Sequence, residues 1–362
     1  MNPEPLVPPP PSGQNRQARD GRRVLVILAI VSIVLIIAGI LLVRYWKKEQ
    51  TVALPQPSGD ELQVHILNIG QGDSILIIAP GGKSVLVDAG TPGSGQAVLD
   101  AMKRYNVKQI DLMIATHAHA DHIGGADEVL HATKVSTVLD SRVPHTTKNY
   151  EDFLAAVNQS GAKYIAASPG QTFDLGGNAQ LTVLAPIQPF FTKNQLRSGA
   201  NEPNANSVVA RLDYGDFSML LTGDAEAETE ERLMKTNANI KTKVLKVGHH
   251  GSRYASSEKF LRQGGFEAAI ISDGAENRYG HPSQEALNRF RQMGMKLYRT
   301  DLEGEITIVS RGSGYEIRTE RTATGDLWAG RTPPKDDAAR EQSDLGETGQ
   351  SSRQSRRAGS GR

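Results

Sequence analysis

The segment Thr116-His117-Ala118-His119-Ala120-Asp121-His122 crowds three imidazoles and a carboxylate directly behind the apolar run Asp111-Leu-Met-Ile-Ala115. A short apolar run bounded by a charge reads as a buried strand, so the histidines belong to the loop at its end. Asp121 is placed to cap a helix over Ile123 to Leu130. In extended backbone His117 and His119 point the same way. Asp121 and His122, at the turn into the helix, face a neighbouring position. One segment thus offers two ligands to each of two adjacent cations, and imidazole with carboxylate suits zinc, manganese or iron. Few folds can use such a loop: a sheet edge must bring further ligands to it.

The chain has 362 residues, room for one large or two ordinary domains. It has no cysteine, which excludes disulfides, thiolate zinc sites and a cysteine nucleophile. A net charge of +1, from 41 basic and 40 acidic residues, excludes a protein that coats nucleic acid by bulk charge. Val24 to Val43 is uncharged, apolar on every face and long enough to span a bilayer, with Arg22, Arg23, Arg44, Lys47 and Lys48 at its ends. The run is followed by Arg44-Tyr-Trp-Lys-Lys48 rather than a small-residue cleavage site, so it reads as a signal anchor. Arg16, Arg19, Arg22 and Arg23 precede it, which tips the N-terminus inside and leaves the bulk of the chain extracytoplasmic. A single-pass cell-membrane protein is the expectation.

Residues 1–23, with Pro8 to Pro11 in a row, form an unfolded tail by composition, and residues 44–60 a polar linker. The globular composition runs over residues 61–320, and residues 321–362 lose their apolar content and read as a second unfolded tail. Strand-like runs at Leu62 to Ile69, Ser74 to Ala79 and Ser84 to Asp88 are followed by helical patterns at Gly95 to Tyr105 and Tyr150 to Gln159. A hairpin is expected across Tyr214-Gly-Asp216. Hairpins mixed with strand-helix-strand units imply an α/β (α+β) fold of mixed sheets covered by helices.

The second half supplies more candidates at strand ends. Leu220-Leu-Thr-Gly-Asp224 is an apolar strand ending on a carboxylate that can bridge two cations, and Val244-Leu-Lys-Val-Gly-His249-His250-Gly-Ser252 again sets histidines past a strand. These segments, with Asn68-Ile-Gly-Gln-Gly-Asp73-Ser, Leu86-Val-Asp88-Ala-Gly and Tyr279-Gly-His-Pro282, resemble the metallo-β-lactamase superfamily, and within it the hydrolase domain of ComEC-type competence proteins. The resemblance covers about Glu61 to Glu320. It implies an αββα sandwich with a two-metal site at one edge, cleavage of phosphodiesters in DNA, and an extracytoplasmic position. Carried over, His117 and His119 hold the first metal, Asp121, His122 and His250 the second, and Asp224 bridges. His249 is the alternative to His250. Asp88 stands behind the ligands and orients the histidine loop. Asp73 either lines the site or makes an ordinary tight turn.

One departure stands out. Many superfamily members carry a further histidine between the His-rich loop and the bridging aspartate. Here that interval holds only His131, at a helix end, and His145, in a loop. Asn206, in Asn204-Ala-Asn206-Ser207, is a candidate for a neutral oxygen ligand. The first site is therefore expected to be the looser one, which favours manganese, or a metal completed by substrate, over two tightly held zinc ions.

The functional expectation is a membrane-anchored, metal-dependent phosphodiesterase or nuclease. Asp121 would orient the attacking water or accept its proton. His281 would hydrogen-bond a phosphate oxygen or protonate the leaving group, and Lys246, Arg253 and Arg278 would touch backbone phosphates. The competing readings are hydrolysis of another ester, such as a lactone or a phosphocholine ester, and a non-catalytic DNA-binding module stapled by metal.

Overall fold

The computed structural model describes residues 32–33, 35–39, 59–197, 200–275 and 277–332. The apolar runs of the sequence become strands buried on both faces. Antiparallel strands β1 (Leu62–Ile66), β2 (Ile75–Ile78) and β3 (Ser84–Val87) come first. Helix α1 (Gly95–Arg104) leads to β4 (Ile110–Ala115), the single turn α2 (Ala120–Ile123), α3 (Ala126–Ala132), β5 (Val135–Asp140), α4 (Lys148–Ser160) and β6 (Lys163–Ala166). The second half opens with β7 (Thr172–Gly176), β8 (Ala179–Ala185), the short α5 (Glu202–Ala205) and a hairpin of β9 (Val209–Tyr214) with β10 (Phe217–Leu221). It continues through α6 (Ala227–Lys235), β11 (Val244–Lys246), α7 (Glu258–Gly264), β12 (Ala268–Ile271), α8 (Gln284–Gln292) and β13 (Lys296–Arg299). After α9 (Thr300–Glu303), β14 (Ile306–Ser310) and β15 (Glu316–Thr319) close the fold.

The strands form two sheets, one ordered β15-β14-β1-β2-β3-β4-β5-β6 and the other β13-β12-β11-β10-β9-β8-β7. Their alternation explains the continuous apolar runs. In β4, Leu112 and Ile114 join the core between the sheets, while Ile110, Met113 and Ala115 face the helices outside. Parallel strands covered on both faces need apolar residues at every position. Val98, Val129 and Phe153 of α1, α3 and α4 cover the first sheet, and Leu233, Phe260 and Phe290 of α6, α7 and α8 cover the second. The result is the αββα sandwich. A buried side chain of this kind contributes roughly 1.5–3 kcal/mol, so the layers, not the loops, hold the site edge in place.

Parallel register delivers residues to that edge. Val87 pairs with Ile114, so Asp88 lies beside Thr116; Leu221 pairs with Lys246, so Thr222 to Asp224 run beside Val247 to His250. The sheets are stitched there by Val208 N–H to the Thr116 carbonyl (2.9 Å) and Ser272 Oγ to the Gly72 carbonyl (2.8 Å).

Three expectations need correction. The helix expected from Ile123 starts at Ala120, with His119 at the capping position, and breaks after Ile123 before resuming at Ala126. Asp121 therefore caps nothing and keeps its carboxylate for the site. Gly124 sits where a Cβ would lie 2.3 Å from Pro92, and Gly125 where one would lie 2.5 Å from the Ala89 carbonyl. Only glycines allow this tight break. Strands β6, β7, β13, β14 and β15 are missing from the sequence reading; β6, β7 and β15 are largely unburied and so lack a continuous apolar run. Finally, residues 321–332 are not part of an unfolded tail. Leu327 and Trp328 pack on the second sheet's outer core, and the buried Arg299 guanidinium binds the carbonyls of Leu327 (3.0 Å) and Ala329 (2.8 Å).

Among the described residues no helix is long and apolar enough to cross a membrane. The expected span over 24–43 lies outside them except for residues 32–33 and 35–39, which are helical. The expected tails at 1–23 and 333–362, and the linker up to residue 58, also lie outside the described residues.

Candidate metal centre

The site is built around Asp224, buried at the end of the β10 strand with its amide held by Ser207 Oγ (3.2 Å). Its two oxygens face different sets of imidazoles. Oδ1 lies 3.3 Å from His122 Nε2 and 3.7 Å from His250 Nε2, while Oδ2 lies 3.7 Å from His117 Nε2. Asp121 Oδ2 completes the group around Oδ1, the second cluster, 3.3 Å from His250 Nε2 and 3.9 Å from His122 Nε2. On the other side His119 Nδ1 is 3.0 Å from His117 Nε2. Donors bound at about 2.0–2.1 Å around one tetrahedral ion stand roughly 3.3 Å apart, which is the spacing seen here.

The buried atoms test whether a cation fits. His122 Nε2, His250 Nε2 and Asp224 Oδ1 are buried without a hydrogen-bond partner among the described residues, yet they converge on one point. A buried polar atom left unpaired costs about 1–3 kcal/mol. A cation in their midst removes that cost three times over. Two groups of donors therefore fit divalent metal, His117 with His119 and Asp224, and Asp121 with His122, His250 and again Asp224.

Each ligand is aimed by a neighbour. Asp88 accepts from Thr116 N (2.8 Å), Thr116 Oγ1 (2.7 Å) and His122 Nδ1 (2.8 Å). Thr116 Oγ1 in turn lies 3.1 Å from His117 Nδ1, and His250 Nδ1 donates to the Ser272 carbonyl at 2.9 Å. With Nδ1 occupied, each of these imidazoles presents Nε2 to the centre, the usual device for fixing a ligand's tautomer. Asp73 and Gly72 seat Asp121: Asp73 N–H donates to the Asp121 carbonyl at 3.1 Å, and a Cβ on Gly72 would lie 2.1 Å from that oxygen.

His249 and His250 both have left-handed backbone, φ 45° and 51°, uncommon for non-glycine residues and costing about 1–3 kcal/mol each. The tight turn over Gly248–Gly251 points the two rings different ways. His250 enters the second cluster. His249 Nε2 stands 3.8 Å from Asp224 Oδ2 at the margin of the first, its Nδ1 held by Glu226 at 2.8 Å.

Electrostatics separate the clusters. Burial holds His119 down at about 4 and His117 well below the usual range. Burial also penalises charge on His122 and His250, but Asp224 and Asp121 outweigh it, raising His122 well above its ordinary value and His250 to about 9. Burial opposes ionisation of Asp121 too, yet His122 and His250 hold its carboxyl well below the carboxylate range.

Several expected roles change. Lys246 is 1% exposed, and its ammonium binds Asp73 (2.8 Å) and the Val247 carbonyl (3.1 Å), so it cannot contact phosphate. Its place in a strand covered on both faces denies it solvent. Asp73, the partner, lies beneath His250, with Oδ1 3.6 Å from its Nδ1. Asn206 is not free to ligate either: it accepts from Phe191 N (2.9 Å) and donates to the carbonyls of Phe191 (3.0 Å) and Glu202 (2.9 Å). The amide at the site belongs to Asn204, whose Oδ1 is buried without a partner among the described residues and whose Nδ2 approaches the His249 ring at 3.5 Å. His131 bonds Gln159 far along α3, and His145 meets His119 only edge-on at 5.8 Å. Burial keeps His281 neutral, which suits hydrogen bonding rather than proton donation. Its ring is 5.1 Å from that of His249. Arg253 and Arg278 are exposed on loops beside the centre. Glu226 and Asn204 had gone unread, although an acid two places after a strand-tip aspartate was a visible signal.

Residues 67–191 match the family described as the Metallo-beta-lactamase superfamily. ComE operon protein 3 of Bacillus subtilis is 34% identical over 263 residues, covering 68% of this chain and 33% of that protein. Competence protein ComA of Neisseria gonorrhoeae is 28% identical over 276 residues (74% and 35%), and Recombination protein 2 of Haemophilus influenzae 29% over 273 residues (74% and 31%). The chain spans about a third of the length of these curated relatives. With the donor geometry, these matches give residues 67–191 the signature of the metallo-β-lactamase superfamily, and the globular part resembles the hydrolase domain of ComEC-type competence proteins.

Proposed function

We propose that the chain is a membrane-anchored phosphodiesterase or nuclease that cleaves DNA with two divalent cations, zinc or manganese. The observation that carries this reading is the single carboxylate of Asp224 turned towards two separate imidazole clusters. His117 and His119 would hold one cation, Asp121, His122 and His250 the other, and Asp224 both. Bound there, the cations would supply Lewis acidity, acidifying a water and neutralising charge on the scissile phosphate. Asp121 would orient that water by accepting its hydrogen bond. It stays ionised, and its side chain is 24% exposed while Asp224 is 2% exposed. His281, as a neutral imidazole, donates to a phosphate oxygen, and Arg253 and Arg278 hold the flanking phosphates. The first cluster has fewer donors, leaves room for water and substrate, and so favours manganese. The run Val24 to Val43 anchors the chain with its hydrolase domain outside the cytoplasm. The names of the relatives, competence and recombination proteins, support DNA as substrate.

The test is direct. Full-length protein in detergent, supplied with manganese or zinc, is expected to cleave single- or double-stranded DNA, and Asp121→Ala to lose most of that rate. If DNA and simple phosphodiesters survive while a lactone or a phosphocholine ester is hydrolysed, the substrate assignment is wrong. If nothing is hydrolysed and Asp121→Ala leaves DNA binding untouched, the domain is a binding module.

A further inference from the structure

Among the described residues after residue 58, two large apolar side chains stand exposed, Tyr254 (41%) and Tyr279 (51%). Tyr254 follows His250 by four residues and Tyr279 precedes His281 by two, and each tyrosine directly follows an exposed arginine, Arg253 and Arg278. Their loops touch: Ser283 N–H donates to the Gly251 carbonyl at 2.9 Å, and a Cβ on Gly251 would lie 2.7 Å from Pro282. The backbones beneath are fixed. The Tyr254 carbonyl accepts from Ala227 N (3.1 Å), and the Arg289 guanidinium binds the carbonyls of Arg253 (3.1 Å) and Ala255 (2.8 Å). On the second loop the Asn277 amide clasps His281 at both its N–H (3.1 Å) and its carbonyl (2.6 Å). The Tyr279 ring stacks towards His281 at 6.1 Å, and His281 meets His249 at 5.1 Å, so an aromatic path runs from the surface to the bridging carboxylate.

We infer that Tyr254 and Tyr279, each with its neighbouring arginine, form a base-stacking subsite for a single-stranded polynucleotide beside the metal centre. The inference rests on the reading that the scissile group is a phosphodiester. A nucleotide offers one apolar face and one anionic phosphate, and each Arg-Tyr pair supplies a partner for both. Stacking on tyrosine tolerates any base, because every base has a π face. A duplex keeps those faces inside its own stack, so the subsite selects unpaired strands.

The test uses the full-length Asp121→Ala protein, which binds without cutting, and fluorescently labelled single-stranded DNA, single-stranded RNA and duplex DNA of equal length. Tyr254→Ala/Tyr279→Ala is expected to weaken single-strand binding at least about 30-fold, from two bases at about 1–3 kcal/mol each, and to move duplex binding less than about twofold. Tyr254→Phe/Tyr279→Phe is expected to bind as the parent does, since stacking does not need the hydroxyl. In the Asp121→Ala background, equal loss on single strand and duplex, no loss at all, or equal damage from Phe and Ala overturns the subsite. Loss confined to DNA or to RNA supports it and names the natural strand. If the parent cleaves neither DNA nor methyl p-nitrophenyl phosphate yet binds single strands through the tyrosines, the phosphodiesterase reading fails and the subsite stands.

Discussion

Replacing Asp88 with asparagine should damage metal binding without removing a single ligand. One oxygen of Asp88 accepts from the Thr116 amide at 2.8 Å, and the other accepts both Thr116 Oγ1 at 2.7 Å and His122 Nδ1 at 2.8 Å. The buried amide of Thr116 must keep its acceptor, so the asparagine oxygen stays there and its NH2 group turns to the histidine. Donor then meets donor. His122 escapes by moving its proton to Nε2, the atom that faces the cation. Losing one hydrogen bond with charged character costs about 1.5–3 kcal/mol, which converts to roughly 10- to 150-fold weaker binding at the second cluster, in line with the usual effect of such supporting residues. Thr116→Val provides the contrast: it removes the 3.1 Å contact to His117 Nδ1 and one of the donors to Asp88 but leaves Asp88 with His122, so it should weaken the first cluster more than the second. Competition titration against a chromogenic chelator, with zinc and with manganese, reads both effects. Parental affinity at both clusters in folded Asp88→Asn protein would refute this account of the ligand support.

Lys246→Met should leave the Asp73 carboxylate buried and alone beneath His250, costing about 3–5 kcal/mol in urea unfolding. Adding Asp73→Asn should recover much of that loss. A stable Lys246→Met protein with weakened DNA binding would restore the phosphate-contact role. Protons compete with metal for imidazole. Because Asp224 and Asp121 raise His122 and lift His250 to about 9 against the pull of burial, second-cluster affinity should climb from pH 6 to 9, whereas the first cluster, with His119 near 4, should be flat over that range. Calorimetry in buffers of different ionisation heat measures the protons released, and release that does not fall with rising pH would count against the assignment. For the metal-free protein the sign reverses: a raised imidazole adds stability that is full below about 6.5 and is lost as pH passes through the folded value.

The His-rich loop was legible because its ligands are neighbours in sequence, and Asp224 and His250 because strand ends are. Tertiary facts were not. Whether Asn204 or Asn206 faces the centre depends on how the turn ending the one-turn helix Glu202–Ala205 twists, which composition does not encode. Lys246 read as a surface cation because its alternation could not reveal that both faces of its strand are covered. The helix break after Ile123 was written in Gly124 and Gly125, and the Leu327-Trp328 anchor in a segment otherwise poor in apolar residues. In each case the local signal was weaker than the packing it served.

The shared carboxylate draws its neighbours from distant parts of the chain: Asp121 and His122 lie between β4 and α3, whereas Asp224 and His250 follow strands of the other sheet. A nascent chain still short of His250 carries the His-rich loop but not the residues that complete its polyhedron. Such a fragment has no assembled blade. Nucleolytic power, on the function proposed for it, arrives only when the two halves dock, and a chain that is still being made is spared a free-running cutter.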